Sequence, residues 1–250
     1  MTYCVGLRLK SGLVLLADTR TNAGVDNISR FRKLFTWSNP GERAIAMMTA
    51  GNLAITQGVI SLLQERIDAA DPNFDNLMTA SSMFRVAQLV GDAMQEVQNR
   101  YAVGLSAMNE SGGATIVVAG QRRGGQPRLF LIYSAGNFIE ATDDTPFFQI
   151  GEHKYGKPIL DRVITPDIDI LDAKTAALLS MDSTLRSNLT VGMPLDLAVI
   201  RAGRFEFEEL RRIEPDDQSF HALSQNWSQL MRDAFVKARE QADDVSGGRY

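Results

Sequence analysis

Apolar and polar positions alternate along the first fifty residues, and the period then changes. YCVGLRL, from Tyr3 to Leu9, has the two-residue alternation of a strand, Ser11-Gly12 supplies a turn, and LVLLAD, from Leu13 to Asp18, reads as a buried strand ending on a charge. Together they predict a hairpin. RKLFTW and AIAMMTA repeat the arrangement around SNPGE, with a turn at Pro40 and Gly41, and predict a second one. Beyond that point the spacing becomes helical, first through Ile55, Val59, Leu62, Leu63 and Ile67 and then through Val86, Val90, Ala93, Val97 and Tyr101. Between these two predicted helices lies DAADPNFDN, from Asp68 to Asn76. Its Asp, Asn and Pro residues end helices and favour turns, so it reads as a connection and not a domain boundary.

Strand character returns in ATIVVAG (Ala114 to Gly120) and RLFLIYSAG (Arg128 to Gly136), separated by the loop QRRGGQP. Helical stretches follow near Lys154 to Val163 and from Leu171 to Leu189, then the strand LDLAVIRAG from Leu195. A last long helix covers Gln218 to Arg239, with Phe220, Leu223, Trp227, Leu230 and Ala234 on one face. The tail ADDVSGGRY, residues 242–250, is polar and expected to be mobile. Because strands and helices come in blocks, two stacked antiparallel sheets flanked by helix layers fit better than a doubly wound parallel sheet. The expectation is an α+β chain folded as one domain over residues 1–250.

Composition narrows the function. The chain has 250 residues, 44% of them hydrophobic, enough for one sizeable core. A net charge of -4 gives no basic field for a phosphate backbone, so nucleic acid is set aside. Apolar runs such as Leu13 to Ala17 fall far short of the ~20 residues of a spanning helix, and no membrane partner is expected. There is no secretory signal pattern at the start and Cys4 is the only cysteine, so a cytoplasmic chain without an intrachain disulfide is expected. His153 and His221 are the only histidines and, with Cys4, show no ligand-pair spacing, which argues against a metal. GQRRGG lacks the Lys-Ser/Thr ending of a phosphate loop, and no GxSxG elbow is present. No cofactor is expected. Cys4 reads as a small strand residue and His153 as polar surface.

Thr2 stands apart from these exclusions. Removal of Met1, expected when the second residue is small, leaves Thr2 with a hydroxyl and a free α-amine, so that one residue holds both nucleophile and base. An α-amine has a reference pKa of about 8, far closer to neutrality than the ~10.4 of lysine. A nearby cation that disfavours its protonated form makes it a usable base. Lys33 is the candidate cation. A lysine inside a sheet needs a carboxylate partner, and Asp18 at the end of LLAD is placed to be one. The backbone N–H of Gly51 in TAGNLA, at a strand-to-helix junction, suits an oxyanion donor. A retained Met1 acylates the amine and removes the base.

The arrangement resembles the N-terminal nucleophile hydrolases and, within them, the proteasome β-type subunits. The match lies in T-x-x-x-G at Thr2 to Gly6, G-x-x-x-x-A-D-x-R from Gly12 through Ala17 and Asp18 to Arg20, Lys33 in RKL, and AGNLAI opening the first helix. The start without a propeptide, the long last helix and IGEHKYGKPILDR, from Ile150 to Arg162, are most similar to the bacterial ancestral β-subunit branch, Anbu. The resemblance implies a four-layer αββα sandwich over nearly the whole chain and a threonine-type peptidase. In that scheme Thr2 attacks a peptide carbonyl and its amine takes the hydroxyl proton, directly or through a water. Lys33 lowers proton affinity there, Asp18 orients and neutralises Lys33, Arg20 supports the same cluster, and the Gly51 amide holds the oxyanion. Loop residues from Thr21 to Ser29 and around Met47 to Gly51 become the expected walls of the specificity pocket.

Two positions depart from the family pattern. Glu152, in IGEHK, stands where the family commonly has Ser, which brings a carboxylate towards the active-site amine, to favour its protonated form or to bind a cationic substrate terminus. In LRSNLTVG, Ser187 follows Arg186 where family members often carry Asp, so a bracing carboxylate is missing. These departures keep two other readings open, a ring-forming scaffold with a weak or vestigial site and an amidase acting on a non-peptide or isopeptide amide. The partners the resemblance implies are a peptide or unfolded polypeptide substrate and further copies of the chain in a large homo-oligomer, a closed or an open helical ring. An unidentified ATP-dependent unfoldase is admitted as a feeder.

Overall fold

The computed structural model describes residues 2–22 and 28–247. Its strands are β1 (Tyr3–Leu9), β2 (Gly12–Asp18), β3 (Arg20–Asn22), β4 (Ile28–Arg30), β5 (Leu34–Asn39) and β6 (Arg43–Gly51). Helices α1 (Leu53–Ala69) and α2 (Met83–Ala107) follow, then β7 (Ala114–Arg122), β8 (Arg128–Ile132), β9 (Phe138–Glu140) and β10 (Phe147–Gly151). The remainder is α3 (Lys157–Val163), α4 (Ile170–Ser187), β11 (Leu195–Arg201), β12 (Glu209–Ile213) and α5 (Gln218–Gly247).

Both predicted hairpins form, β1 with β2 and β5 with β6. They seed two five-stranded sheets, in the orders β10-β1-β2-β11-β12 and β5-β6-β7-β8-β9, and every pairing in both is antiparallel. Strand alternation divides the apolar residues between cores. Cys4, Leu13, Leu15 and Ala17 of the first sheet meet Ala46, Met48, Val117 and Ala119 of the second. The other face of the second sheet, with Ile45, Met47, Ile116, Val118 and Phe130, packs on Val59 and Leu63 of α1 and Val86, Val90 and Met94 of α2. On the far side α4 lies against β1 and β2, and α3 against α4. Residues 1–213 therefore form the four layers expected, helices, sheet, sheet, helices.

Local chemistry sets the junction on which the site depends. Gly51 ends β6 at φ +102°, and a Cβ there would overlap the Gly113 carbonyl, so only glycine makes this turn. Asn52 follows as the N-cap of α1, accepting from the Ile55 N–H at 3.2 Å.

Residues 214–250 form a second compact unit built on α5. Asp217 starts that helix by accepting from the Phe220 N–H at 2.9 Å. The segment expected as a mobile tail from residue 242 is helical up to Gly247. Strands β3, β4, β9, β10 and β12 were not anticipated from the pattern, being three to five residues long.

Candidate active site

Thr2 immediately precedes β1 and is half-buried, while Tyr3 is fully buried. The peptide joining them is gripped from two directions. The Tyr3 N–H donates to Asp18 Oδ1 at 3.1 Å, and the Thr2 carbonyl accepts from the Glu152 N–H at 2.6 Å. This second bond extends the β1–β10 ladder one step past the Tyr3–Gly151 pair, so Glu152 stands opposite Thr2. Gly151, at φ +80°, permits the approach, because a Cβ there would overlap the Thr2 carbonyl.

Asp18 ends β2, and its carboxylate is fully buried. Lys33, 3% exposed, donates its Nζ to Asp18 Oδ1 at 2.6 Å and to the Arg20 carbonyl at 2.5 Å. The Gly192 N–H completes the shell at 3.1 Å from Oδ2. Burial pushes the Asp18 carboxyl above its ordinary value, and Lys33 with the Tyr3 and Gly192 amides pulls the other way. With three donors aimed at its two oxygens, the site suits a carboxylate acceptor and not a proton-bearing acid, and the pair is best described as a buried ion pair.

Lys33 is anchored by its main chain as well, its carbonyl accepting from the Thr49 N–H at 3.0 Å. Along β6 successive N–H groups point to alternate sides. The Asn52 N–H goes to Gly113 O on the β7 side, so the Gly51 N–H is turned to the same side as that of Thr49, towards the edge where Lys33 lies. Gly51 is exposed, whereas Met47 and Met48 are buried in separate cores. The methionines expected as pocket walls are thus taken up by packing within the chain, sent to opposite faces of β6 by the strand's alternation. Of the other expected wall, residues 23–27 lie outside the described residues, as does Met1.

Arg20 contributes differently from expectation. Its carbonyl, not its guanidinium, meets Lys33, and the guanidinium donates to the carbonyls of Leu189 at 2.8 Å and Val191 at 3.5 Å. It thereby holds the loop 188–192 whose Gly192 N–H reaches Asp18.

Ser187 does not join the cluster. It is the last residue of α4 and exposed, because the helix ends there and turns it outward. The side chain that does enter comes one residue later, where the backbone becomes extended. Asn188, 9% exposed, donates Nδ2 to Glu152 Oε2 at 3.2 Å. Its Oδ1 accepts from the Thr190 N–H at 3.0 Å and from Thr190 Oγ1 at 2.6 Å. The Asn-x-Thr spacing of such an Asx turn was the available sequence signal. Glu152 is 8% exposed, and its Oε1 accepts from the Lys154 N–H at 3.0 Å.

Cys4 is buried with Sγ 3.9 Å from the Thr49 carbonyl, and burial raises its thiol pKa far above the usual range. It is an inert strand residue. Among the described residues there is no group of three or more His, Cys, Asp or Glu that could hold a metal, and no helix is long and apolar enough to cross a membrane.

These features can be set beside known proteins. A family model described as "Proteasome subunit" matches residues 2–200. A solved structure of an Anbu Gly-1 mutant from Hyphomicrobium sp. strain MC1 superimposes with a TM-score of 0.87 at 51% identity, covering 95% of this chain and 97% of that one. The helical assembly of the Anbu complex from Pseudomonas aeruginosa gives a TM-score of 0.88 at 47% identity, over 94% of this chain and 96% of that one. Among curated relatives, proteasome subunit beta 2 of Pyrobaculum aerophilum is 23% identical over 208 residues, 83% of this chain and 92% of its own length. With the fold, the Asp18–Lys33 pair beside Thr2 and these likenesses in agreement, the chain belongs to the proteasome subunit family and, within it, stands with the Anbu ancestral β-subunits.

Proposed function

We propose that this chain is a threonine-type peptidase subunit, active once Met1 has been removed and Thr2 is the first residue. The observation that carries the reading is the buried Lys33–Asp18 pair, bonded to the main-chain N–H that directly follows Thr2. Thr2 Oγ attacks the substrate carbonyl carbon while the α-amine takes the hydroxyl proton, directly or through a water. The Gly51 N–H stabilises the oxyanion of the tetrahedral intermediate. Collapse expels the substrate's amine, which takes the proton back, and leaves an ester on Thr2 that water then hydrolyses. Lys33 disfavours protonation of the α-amine, and Asp18 makes its burial affordable and fixes its position. Arg20 acts one step away, by holding the 188–192 loop.

The test is intact mass spectrometry on the purified assembly, before and after a peptide epoxyketone, a probe that needs both the hydroxyl and the free amine of an N-terminal Thr. Loss of Met1 followed by one adduct per chain, absent in Thr2→Ala, is the expected result. A processed chain that takes no adduct favours the second reading, a scaffold whose site is vestigial. Glu152, where the family pattern has Ser, and Ser187, exposed and without the carboxylate of that pattern, are the features on that side.

Assembly into a homo-oligomer is part of the same proposal. The Pseudomonas aeruginosa relative is described as a helical assembly, and at 47% identity the present chain is expected to build a related open or closed ring. Sedimentation of a monomer at micromolar concentration would sink this part.

A further inference from the structure

The two groups that grip the Thr2–Tyr3 peptide differ in their charge balance. Asp18 holds the Tyr3 N–H and has the Lys33 ammonium at 2.6 Å. Glu152 holds the Thr2 carbonyl through its main chain, and its side chain, on a residue 8% exposed, is bonded only by neutral donors, the Lys154 N–H and Asn188 Nδ2. Among the described residues no Lys, Arg or His side chain forms an ion pair with it. A carboxylate withdrawn from solvent with only neutral donors is a place where a nearby cation is favoured.

Processing supplies a cation at this place. Hydrolysis of the Met1–Thr2 bond adds hydroxide to the Met1 carbonyl and leaves on Thr2 an amine that is mostly protonated at pH 7. Glu152 stands opposite Thr2, its N–H bonded to the Thr2 carbonyl one step past the Tyr3–Gly151 pair. An opposite charge within ~4–6 Å of an amine favours its protonated form. The carboxylate is also fixed in direction. Asn188 Oδ1 is occupied by the two donors of Thr190, which leaves its NH2 to face Glu152 Oε2.

We propose that Glu152, oriented by Asn188, is the counter-ion of the mature Thr2 α-ammonium, and that this pair raises the pH at which Thr2 becomes nucleophilic. The inference rests on the reading of Thr2 as the processed N-terminus. The other groups around that amine come from every neighbouring element: Asp18 at the end of β2, Lys33 ahead of β5, the buried Tyr3 hydroxyl on β1, the exposed His153 and Lys154 after β10, and Arg20, whose guanidinium is bound to the carbonyls of Leu189 and Val191. Lys33 opposes Glu152 in sign, but its charge is matched by Asp18. Glu152 then raises the amine's proton affinity against the opposing effect of Lys33. Asn188 is a positioning residue, acting through Glu152.

The experiment uses the full chain released from a cleavable fusion so that Thr2 is first, whatever the host's processing. Competitive acetylation with trace acetic anhydride across pH, read on the N-terminal peptide by mass spectrometry, reports the protonation of the α-amine without requiring catalysis. The wild-type midpoint is expected above the ~8 of an ordinary α-amine. Glu152→Gln lowers it by about one unit or more, a tenfold or greater loss of proton affinity, and Asn188→Ala, which keeps the charge but frees it, gives a smaller drop in the same direction. Equal midpoints in wild type and Glu152→Gln overturn the proposal. Should Glu152→Gln fail to assemble, an unchanged midpoint in Asn188→Ala overturns it instead. The outcome is separable from that of the peptidase reading: a shifted midpoint in a protein that takes no epoxyketone leaves the ion pair standing and removes the peptidase, and an adduct with unshifted midpoints does the reverse.

Discussion

Asp18 and Glu152 are two buried carboxylates reached from the ends of strands in one sheet, and they flank the same peptide bond. Asp18 is complete within the chain, with an ammonium and two amides on its two oxygens. Glu152 has an amide and a carboxamide, both neutral. Burial costs a carboxylate solvation, and the loss is offset best when a cation is paired with it. The half of the site around Asp18 is therefore built by folding alone, whereas on the proposed pairing the half around Glu152 is charge-balanced only once the Thr2 amine is freed. This contrast separates a structural ion pair from a poised one, and each can be broken independently.

The largest effect is expected from Lys33→Met. It leaves the Asp18 carboxylate buried without its cation, a loss of about 3–5 kcal/mol, read as a lower denaturant midpoint at fixed protein concentration. Epoxyketone adduct formation disappears with it. Adding Asp18→Asn restores much of the stability, because the uncompensated charge is gone, but restores no adduct. A double variant as unstable as the single one would show that packing, and not charge, holds this half together.

Gly151→Ala strikes the other half. The residue sits at φ +80°, and the added methyl would meet the Thr2 carbonyl, so the Glu152 N–H bond to Thr2 is expected to break. Backbone strain of this kind costs about 1–3 kcal/mol. The adduct rate should fall more than tenfold while the Asp18–Lys33 pair is retained. An unchanged adduct rate would mean that Glu152 and its strand do not position Thr2.

How much of this could be read in advance follows the same division. The Asp18 half was legible because its parts sit on long, strongly patterned elements: a hairpin with regular alternation carries Thr2 and Asp18 to one sheet end, and a second hairpin brings Lys33 there. Gly51 was legible as the joint between an apolar strand and a helical period. The Glu152 half was not. It depends on β10, five residues with no clean alternation, and on where α4 stops. Stopping at Ser187 turns that residue out to solvent and passes the contact to Asn188, one position on. Helix ends are set by caps and tertiary contacts more than by period, so motif spacing alone does not single out Asn188. Likewise the Arg20 side chain could be assigned to the cluster but not its carbonyl, since main-chain acceptors leave no mark on a sequence.

Between the two halves lies Tyr3, whose hydroxyl is 2.5 Å from Ser180 Oγ and accepts from Gln149 Nε2 at 2.8 Å. Burial pushes its pKa up to about 12, the two hydrogen bonds working against the shift. A folded value above the unfolded ~10 means that the stabilisation is fully present below pH 10 and is lost as pH rises through about 12. Tyr3→Phe should therefore lower stability by about 1–3 kcal/mol at pH 8, through the stranded Ser180 and Gln149 groups, and the gap to wild type should narrow as pH rises from 10 towards 12. Thermal midpoints of both proteins across that range provide the check, and a constant gap would remove the titration of Tyr3 from the account.

The smallest expected effect tests whether the proposed oxyanion donor, the Gly51 N–H, belongs with the rigid half or the poised one. Asn52 caps α1 through the Ile55 N–H and ties the start of that helix to the Ser111 carbonyl at 3.0 Å. Its replacement in Asn52→Ala costs about 1 kcal/mol, the ordinary worth of a cap. If the Gly51 N–H is fixed by the β6 ladder and its own constrained turn, loosening the helix behind it leaves the adduct rate within about twofold of wild type, since the Thr49–Lys33 bond and the Asn52–Gly113 bond are main-chain contacts the substitution does not remove. If the cap is what aims that N–H, the rate falls by a factor well beyond the stability change, and the donor has to be counted with Glu152 among the groups whose alignment depends on short, weakly patterned segments. The former is expected, because those main-chain bonds on either side of Gly51 stay in place when the Asn52 side chain is removed.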